Sequence, residues 1–367
     1  MKTILCVHQG YELYGSDRTF IQSVTALRQA YPDAALTVHL PQQGKLSDAL
    51  IGKADRFVYG RLSVFRRGSF RLSSLYQLIK NIRFNQQLVK ESNLVYINSA
   101  VVFSYVFLSF FRKERFILHI HEIPTGLAKL YFCLISLFTR ALCITNSQAT
   151  KSALCASDKA RVLYNGVKDI PKQVPVTLSG DNRLSLLLIG RLNSWKGQDI
   201  AIEAMSLLAN QGKRHIHLNI VGSYFGNHRH YLTALQDMVV KYGLDDQVHF
   251  HHFSDNPSGF YHSCDVVLVP STQPEPFGLV AIEGMNFNKP VIATNHGGLT
   301  EIVRDNQTGF LIAPGSADDL AAAILRYDED RALMTKHGQA GKIRFQDYFL
   351  EESYTQNFLA IVKQHVA

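Results

Sequence analysis

Short β-rich runs alternate with helical patterns along almost the whole chain, and the alternation stops once, between Pro171 and Asp181, before it restarts. Strand patterns cover residues 2–9, 35–40, 93–98 and 115–120 before the interruption. After it they cover 184–190, 215–222, 247–252, 265–270, 290–294 and 309–313, with a helix at 17–30 in the first half and helices between the later strands. Strands separated by helices cannot pair as hairpins, so this order selects parallel, doubly wound α/β sheets. The interruption is rich in Pro, Ser and Gly and has no periodicity, which marks a linker. The expectation is two domains, 1–170 and 183–345, joined by a linker at 171–182, with a closing helix at about 346–367 packing back onto the first domain. Two such sheets would face each other across a ligand cleft at their C-terminal strand edges.

With 46% hydrophobic and 19% charged residues, the chain has the composition of a packed globular protein. Its charge is uneven. Residues 1–170 hold 22 Lys and Arg against 10 Asp and Glu, a balance of +12, and residues 171–367 hold 16 against 20, a balance of −4. A basic first half suggests an anionic partner, nucleic acid or anionic lipid, against the plainer reading of a solvated face, and of these the expectation is a membrane surface and no nucleic acid. Phe and Tyr interleave with the cations Arg56, Arg61, Arg66, Arg67, Arg71, Lys80, Arg83, Arg112, Lys113 and Arg115, a composition that suits the surface of an anionic membrane. The apolar run Val101–Phe111 is too short to span a bilayer, and Leu127–Ile144, interrupted by Lys129 and Arg140, reads as a core helix. Five cysteines form no CxxC and no metal spacing, and Met1–Val7 reads as a first strand rather than a leader. Free thiols in a reducing, cytoplasmic setting are therefore expected.

The chemistry is concentrated in Pro274-Glu275-Pro276-Phe277-Gly278-Leu279-Val280-Ala281-Ile282-Glu283-Gly284. A strand pattern precedes it and a helical pattern follows Gly278. Glu275 then sits in a strand-to-helix loop and Glu283 two turns on, about 12 Å away along the axis. Such a pair can hold a ligand with hydroxyls at both ends, of the nucleotide-sugar kind. The amides of Phe277, Gly278 and Leu279 lie at the helix N-terminus, where N–H groups aim at a ligand. Arg191 and Lys196 follow another strand end, and two fixed cations there could neutralise a departing diphosphate without a metal. The first loop, Gln9 to Arg18, is not GxGxxG, but Gly15 permits close approach of a phosphate to the next helix. In Leu118-His119-Ile120-His121-Glu122, alternation sends His119 and His121 to one side, so one or both imidazoles can reach a sugar. Nothing else has the spacing of a metal site, and GxSxG, P-loop and HExxH motifs are absent.

These pieces, in this order, resemble the GT4 family of retaining glycosyltransferases, which have the GT-B fold of two Rossmann-like domains. The resemblance is strongest from Leu184 to Leu325. It rests on Gly190-Arg191-Leu192 with Lys196-Gly197, on Ile220-Val221-Gly222, on the two-glutamate stretch, and on Pro290 to Thr294 with Gly297 to Val303. It implies that Arg191 and Lys196 bind the donor diphosphate, Glu275 and the amides of Phe277, Gly278 and Leu279 hold the donor sugar, and Glu283 holds the ribose. Gly15 and Gly222 line the donor site, and His121 lies beside donor sugar and acceptor. It also implies metal independence, no cofactor, and a front-face route with retention of configuration. Where the family usually has two glycines in the first loop, this chain has Tyr14-Gly15-Ser16-Asp17. The implied reaction moves a sugar from a UDP-, GDP- or dTDP-sugar to a glycan or polyprenyl-linked glycan, in surface polysaccharide (O-antigen or capsule type, lipopolysaccharide) biosynthesis, peripheral on the inner face of the cytoplasmic membrane. A sugar-nucleotide epimerase or phosphorylase on the same fold is the alternative enzyme, and a basic membrane- or nucleic-acid-binding protein the alternative without catalysis.

Overall fold

The structure is a computed structural model and describes residues 1–13, 15–64, 72–111, 115–170, 183–224, 229–254 and 256–366. The linker expected at 171–182 lies outside the described residues, as do Tyr14, Arg66, Arg67, Arg71, Arg112 and Lys113. The chain divides into two compact units, Met1–Gly166 together with Glu351–Ala367, and Val167–Leu350.

The first unit is built on seven parallel strands: β1 (Thr3–His8), β2 (Ala35–Leu40), β3 (Arg56–Tyr59), β4 (Leu94–Asn98), β5 (Arg115–Ile120), β6 (Leu142–Thr145) and β7 (Ala160–Val162). They lie in the order β3-β2-β1-β4-β5-β6-β7. Successive strand residues alternate between two cores, as period-two side chains must. Ile4 and Cys6 pack with Leu36, Val38, Tyr354 and Phe358 on one face. Leu5 and Val7 pack with Val95, Ile97, Leu118 and Phe132 on the other. The closing helix Glu351–Val366 supplies Tyr354 and Phe358 and packs on the Gly15–Ala30 helix.

The second unit repeats the plan with six parallel strands: β8 (Leu184–Ile189), β9 (Ile216–Val221), β10 (Val248–His251), β11 (Val266–Val269), β12 (Val291–Thr294) and β13 (Gly309–Ile312). Their order is β10-β9-β8-β11-β12-β13. Leu184, Leu186, Leu188, Ile216, Leu218 and Ile220 form a core with Met205 and Leu208 of the Gln198–Asn210 helix. The Leu279–Asn286 helix packs on β11 and β12. In each sheet the order reverses once, between β1 and β4 and between β8 and β11. Such a reversal splays the connecting loops apart and opens a crevice at the strand ends.

Three expectations are corrected. The run Leu127–Ile144 is a helix, Leu127–Phe138, followed by strand β6, because Thr139 turns extended at the helix end and Arg140 stands between the two elements. That helix is not wholly core, since Leu130, Leu134, Leu137 and Phe138 are exposed. Cys133 and Cys155 form a disulfide, leaving Cys6, Cys143 and Cys264 as buried free thiols. The pairing brings a helix beside a later loop, a contact that spacing in the chain does not reveal. Of the interleaved aromatics, Phe116 is interior and Phe84 lies under the Arg61 guanidinium. Strands β3, β6 and β7 are short and carry no pattern that sequence reading isolates. No helix among the described residues is long and apolar enough to cross a membrane.

Candidate functional site

At the strand-order reversal of the second unit, β8 leads into Gly190 and Arg191, and β11 leads into Pro270 and Ser271. Asn193 Oδ1 accepts hydrogen bonds from the amides of Trp195 (3.1 Å) and Lys196 (3.0 Å), folding the loop into a tight turn. Gln198 Nε2 donates to the Arg191 carbonyl at 3.0 Å. The Thr272 amide donates to the Trp195 carbonyl at 2.8 Å, so the two loops are tied to each other. Arg191 is exposed, and Lys196 points inward beside the Trp195 ring.

Lys196 Nζ donates to Glu275 Oε1 at 2.5 Å, and Ser271 Oγ donates to the same oxygen at 2.5 Å. Glu275 is buried, so its charge is sustained by these two partners. The Ser271 carbonyl accepts from Thr294 Oγ1 (2.9 Å) and His296 Nε2 (2.9 Å), which fixes the serine that orients Glu275. His296 Nδ1 is buried with no hydrogen-bond partner.

The glycine pair 297–298 closes this loop from behind. The Gly298 amide donates to the Glu275 carbonyl at 2.7 Å. A Cβ on Gly297 would stand 2.4 Å from that carbonyl oxygen, and one on Gly298 would stand 2.7 Å from Phe277 Cα. Backbone packs directly on backbone there, which only glycine permits. Gly222 is required for the same reason, since its Cβ would meet the Gly190 carbonyl oxygen at 1.9 Å where β8 and β9 end. The Phe277 side chain is buried against Phe349, so what Phe277 can offer a ligand is its backbone. Gly278 is the N-cap of the Leu279–Asn286 helix, with no side chain capping it. Glu283, further along that helix, is half-buried and accepts from Tyr261 Oη at 2.6 Å.

The first unit also gathers polar groups at its reversal, where His8 at the end of β1 is in register with Asn98 at the end of β4. His8 Nε2 donates to Asp17 Oδ1 at 2.6 Å, and both residues are buried. Asn98 Nδ2 donates to the Ser16 carbonyl at 3.2 Å, beside Gly15, which opens the helix. Asn98 Oδ1 accepts from Tyr96 Oη at 2.9 Å and from His121 Nε2 at 2.8 Å. The His121 proton is thereby assigned to Nε2, and Nδ1 keeps its lone pair. Burial holds His121 well below the ordinary histidine range, and the neighbouring His119 and His8 add to the effect. His119 is fully buried with Nδ1 on Tyr96 Oη at 2.9 Å, and burial pushes its ring down to about 3. Glu122 accepts from the Ser99 hydroxyl and the His121 amide, and burial raises its carboxyl. Ser99 has φ 98°, a strained conformation for a non-glycine residue, held by its amide on the His119 carbonyl at 2.8 Å.

The structure thus joins Lys196 to Glu275 directly, and links His121 to the turn at Gly15 through Asn98. Sequence reading missed Ser271, His296, Tyr261, His8 and Asn98. Ser271 stands four residues before Glu275 and could have been found by that spacing; the others are contacts between distant segments. Among the described residues no group of three His, Cys, Asp or Glu side chains is placed to hold a metal ion.

Residues 169–344 match the family described as glycosyl transferases group 1. The chain is 31% identical over 216 residues to the uncharacterized glycosyltransferase MJ1607 of Methanocaldococcus jannaschii, covering 53% of each chain. It is 30% identical over 203 residues to the alpha-1,3/1,6-mannosyltransferase ALG2 of Homo sapiens, covering 53% of this chain and 48% of that one. The chain spans about half the length of the curated relatives it matches. In fold it is similar to Anabaena HepE, crystallised in complex with UDP-glucose, with a TM-score of 0.81, 24% identity, and coverage of 99% of this chain and 100% of that one. Residues 169–344 are therefore similar to the group 1 glycosyl transferases, which makes the chain GT4-like, and its fold is GT-B.

Proposed function

We propose that this protein is a retaining glycosyltransferase that moves a sugar from a nucleotide-sugar donor to a glycan or polyprenyl-linked glycan at an anionic membrane surface, in surface polysaccharide synthesis. The observation that carries the reading is the Ser271–Glu275–Lys196 cluster beside Arg191 at the strand-order reversal of the second unit. An ammonium has three N–H groups. Lys196 can keep Glu275 in place and still donate to a diphosphate oxygen, while Arg191 offers a planar fork to the same anion. Together they stabilise the charge that develops on the leaving nucleotide, with no metal or cofactor in the assignment. Glu275 and the backbone of Phe277, Gly278 and Leu279 take the sugar hydroxyls, and Glu283, oriented by Tyr261, takes the ribose. His121, neutral and oriented by Asn98, contacts the transferred sugar. Gly15 and Gly222 give the donor close access to backbone. HepE, whose fold this chain shares, binds UDP-glucose, which supports a nucleotide-sugar donor. The basic first half supports a peripheral setting on an anionic membrane, the inner face of the cytoplasmic membrane in this reading, although the Cys133–Cys155 disulfide removes the support that free thiols would lend to a reducing compartment.

The test is a donor-hydrolysis and transfer screen across UDP-, GDP- and dTDP-sugars, with and without EDTA. One donor class should turn over with EDTA present, and NMR of the product should show the donor's anomeric configuration. Failure of every donor would overturn the transferase reading, and inversion would overturn the front-face route.

A further inference from the structure

The Leu127–Phe138 helix buries Phe132 and Ile135, but Leu130, Leu134, Leu137 and Phe138 stand in solvent at 62, 45, 44 and 64% exposure. At positions i, i+4, i+7 and i+8 they form one continuous stripe. The Phe103–Phe111 helix runs alongside, with Phe103 6.0 Å from Tyr131 between ring centres and Ser109 Oγ 2.8 Å from Thr139 Oγ1. Phe111, 67% exposed, therefore lies at the same end of the pair as Phe138. The Leu127–Phe138 helix is firmly braced by the Cys133–Cys155 disulfide and by the Ala156 amide donating to Ser136 Oγ at 3.2 Å. A braced helix with large apolar side chains left in water marks a docking face.

Charge identifies the occupant. Neither helix contains an Asp or Glu, and the exposed cations Lys129 and Arg140 flank the stripe at its two ends. Residues 1–170 carry +12 in all. Apolar side chains between cations match an acyl layer beneath anionic headgroups. A second copy of the chain would bring the same cations against this face and be repelled.

We propose that the Leu130–Leu134–Leu137–Phe138 stripe, with Phe111, seats the first unit in the plane of an anionic lipid bilayer. This rests on the membrane setting proposed above and not on the transfer reaction, so binding is measured without donor. The experiment is sedimentation of the full chain with phosphatidylcholine vesicles, with or without phosphatidylglycerol. The wild type should partition onto the anionic vesicles. Leu134→Gln with Phe138→Gln should lower that partition about tenfold or more. Lys129→Gln with Arg140→Gln should lower it about fivefold per cation, through a route that leaves the apolar stripe intact. Val240→Gln with Ile343→Gln, at exposed apolar positions of the second unit, should change nothing. Thermal unfolding of each variant checks that it remains folded. Wild type that ignores anionic vesicles would remove the membrane setting itself. Wild type that binds while the Leu134/Phe138 variant binds equally well would overturn this face alone. A lipid-free dimer that the same variant dissolves would give the stripe to a second copy instead.

Discussion

The two units place polar groups at the same topological point by opposite means. In the second unit the groups are charged and sit in loops or on the helix that follows, with Lys196 against Glu275, Arg191 exposed and Glu283 half-buried on the Leu279–Asn286 helix. In the first they are mostly neutral and lie inside the sheet ends, where His119, Tyr96, Ser23 and Tyr354 form an interior hydrogen-bonded chain leading to Asn98 and His121. An exposed cation such as Arg191, and an ammonium such as Lys196 with a carboxylate already beside it, can answer an anionic ligand at a smaller desolvation cost than an isolated buried charge. Imidazoles in a dry interior can be aimed with precision but must stay uncharged. The difference fits the division of labour proposed above, with a diphosphate held by the second unit and hydroxyls oriented by the first.

Acid should produce the largest effect and break the units apart in order. Burial holds His39 down to about 4 and His119 to about 3, and lowers His121 as well. In the unfolded chain these rings take protons near pH 6.5, so stability is complete above that value and falls as the pH drops toward the folded values. His39 and His119 each contribute a slope of about 1.4 kcal/mol per pH unit near pH 5, and His121 adds in the same direction. Glu122, raised by burial, works in the opposite direction and offsets part of this. His217, His251 and His337 of the second unit are lowered too, by smaller shifts that contribute less. The chain's single tryptophan, Trp195, reports on the second unit alone. On acidification from pH 7 to pH 5, helical circular dichroism should fall before Trp195 emission changes. Emission changing first would reverse the assignment of the weaker unit.

Next in size is removal of the second unit's charges. Lys196→Ala and Glu275→Ala should each lower kcat/KM of transfer by about a hundredfold to a thousandfold. The double variant should lose far less than the product of the two, because each residue acts through the other. Full additivity would mean that Lys196 and Glu275 serve the donor separately, and retained activity in either single variant would remove it from the mechanism.

The same contrast explains what could be read from the chain. Parallel strands buried on both faces, such as β4 and β11, are nearly pure apolar runs and announce themselves. Strand β6 does not, because Leu142–Thr145 is only four residues long and follows the helix Leu127–Phe138 after only Thr139, Arg140 and Ala141, too short a break to read as a turn. The residues of the second site fall within short stretches whose spacing maps onto a loop and a helix, so Arg191, Lys196, Glu275 and Glu283 were visible. Asn98 was not. Its importance comes from β1, β4 and β5 being neighbours in space, which brings His8, Ser16 and His121 around one amide. The exposed stripe was hidden for a related reason: an apolar helix shows its mean hydropathy in the sequence, but which side is covered depends on the helices beside it.

Gly298→Ala tests whether backbone contact behind Glu275 shapes the charged site. Its Cβ would press on Phe277 Cα and the Pro276 carbonyl, both backbone and unable to yield cheaply. A loss of about 1–3 kcal/mol in urea unfolding is expected, together with weaker donor binding. A variant as stable as wild type would show that the loop has room to move.

The smallest effect should come from Tyr261→Phe, which removes only the hydroxyl that donates to Glu283 Oε2. The ring stays stacked on Phe287 at 5.0 Å, so packing is preserved. Glu283 keeps its position on the helix but loses the group that holds one oxygen, at a cost of about 1 kcal/mol. If Glu283 binds the ribose, it grips a part of the donor that does not react, and it grips it equally in the ground and transition states. Uniform binding of that kind raises KM without lowering kcat. Donor KM should therefore rise about fivefold with kcat unchanged. A fall in kcat at constant KM would place Glu283 at the reacting end of the donor and exchange the roles of the two glutamates.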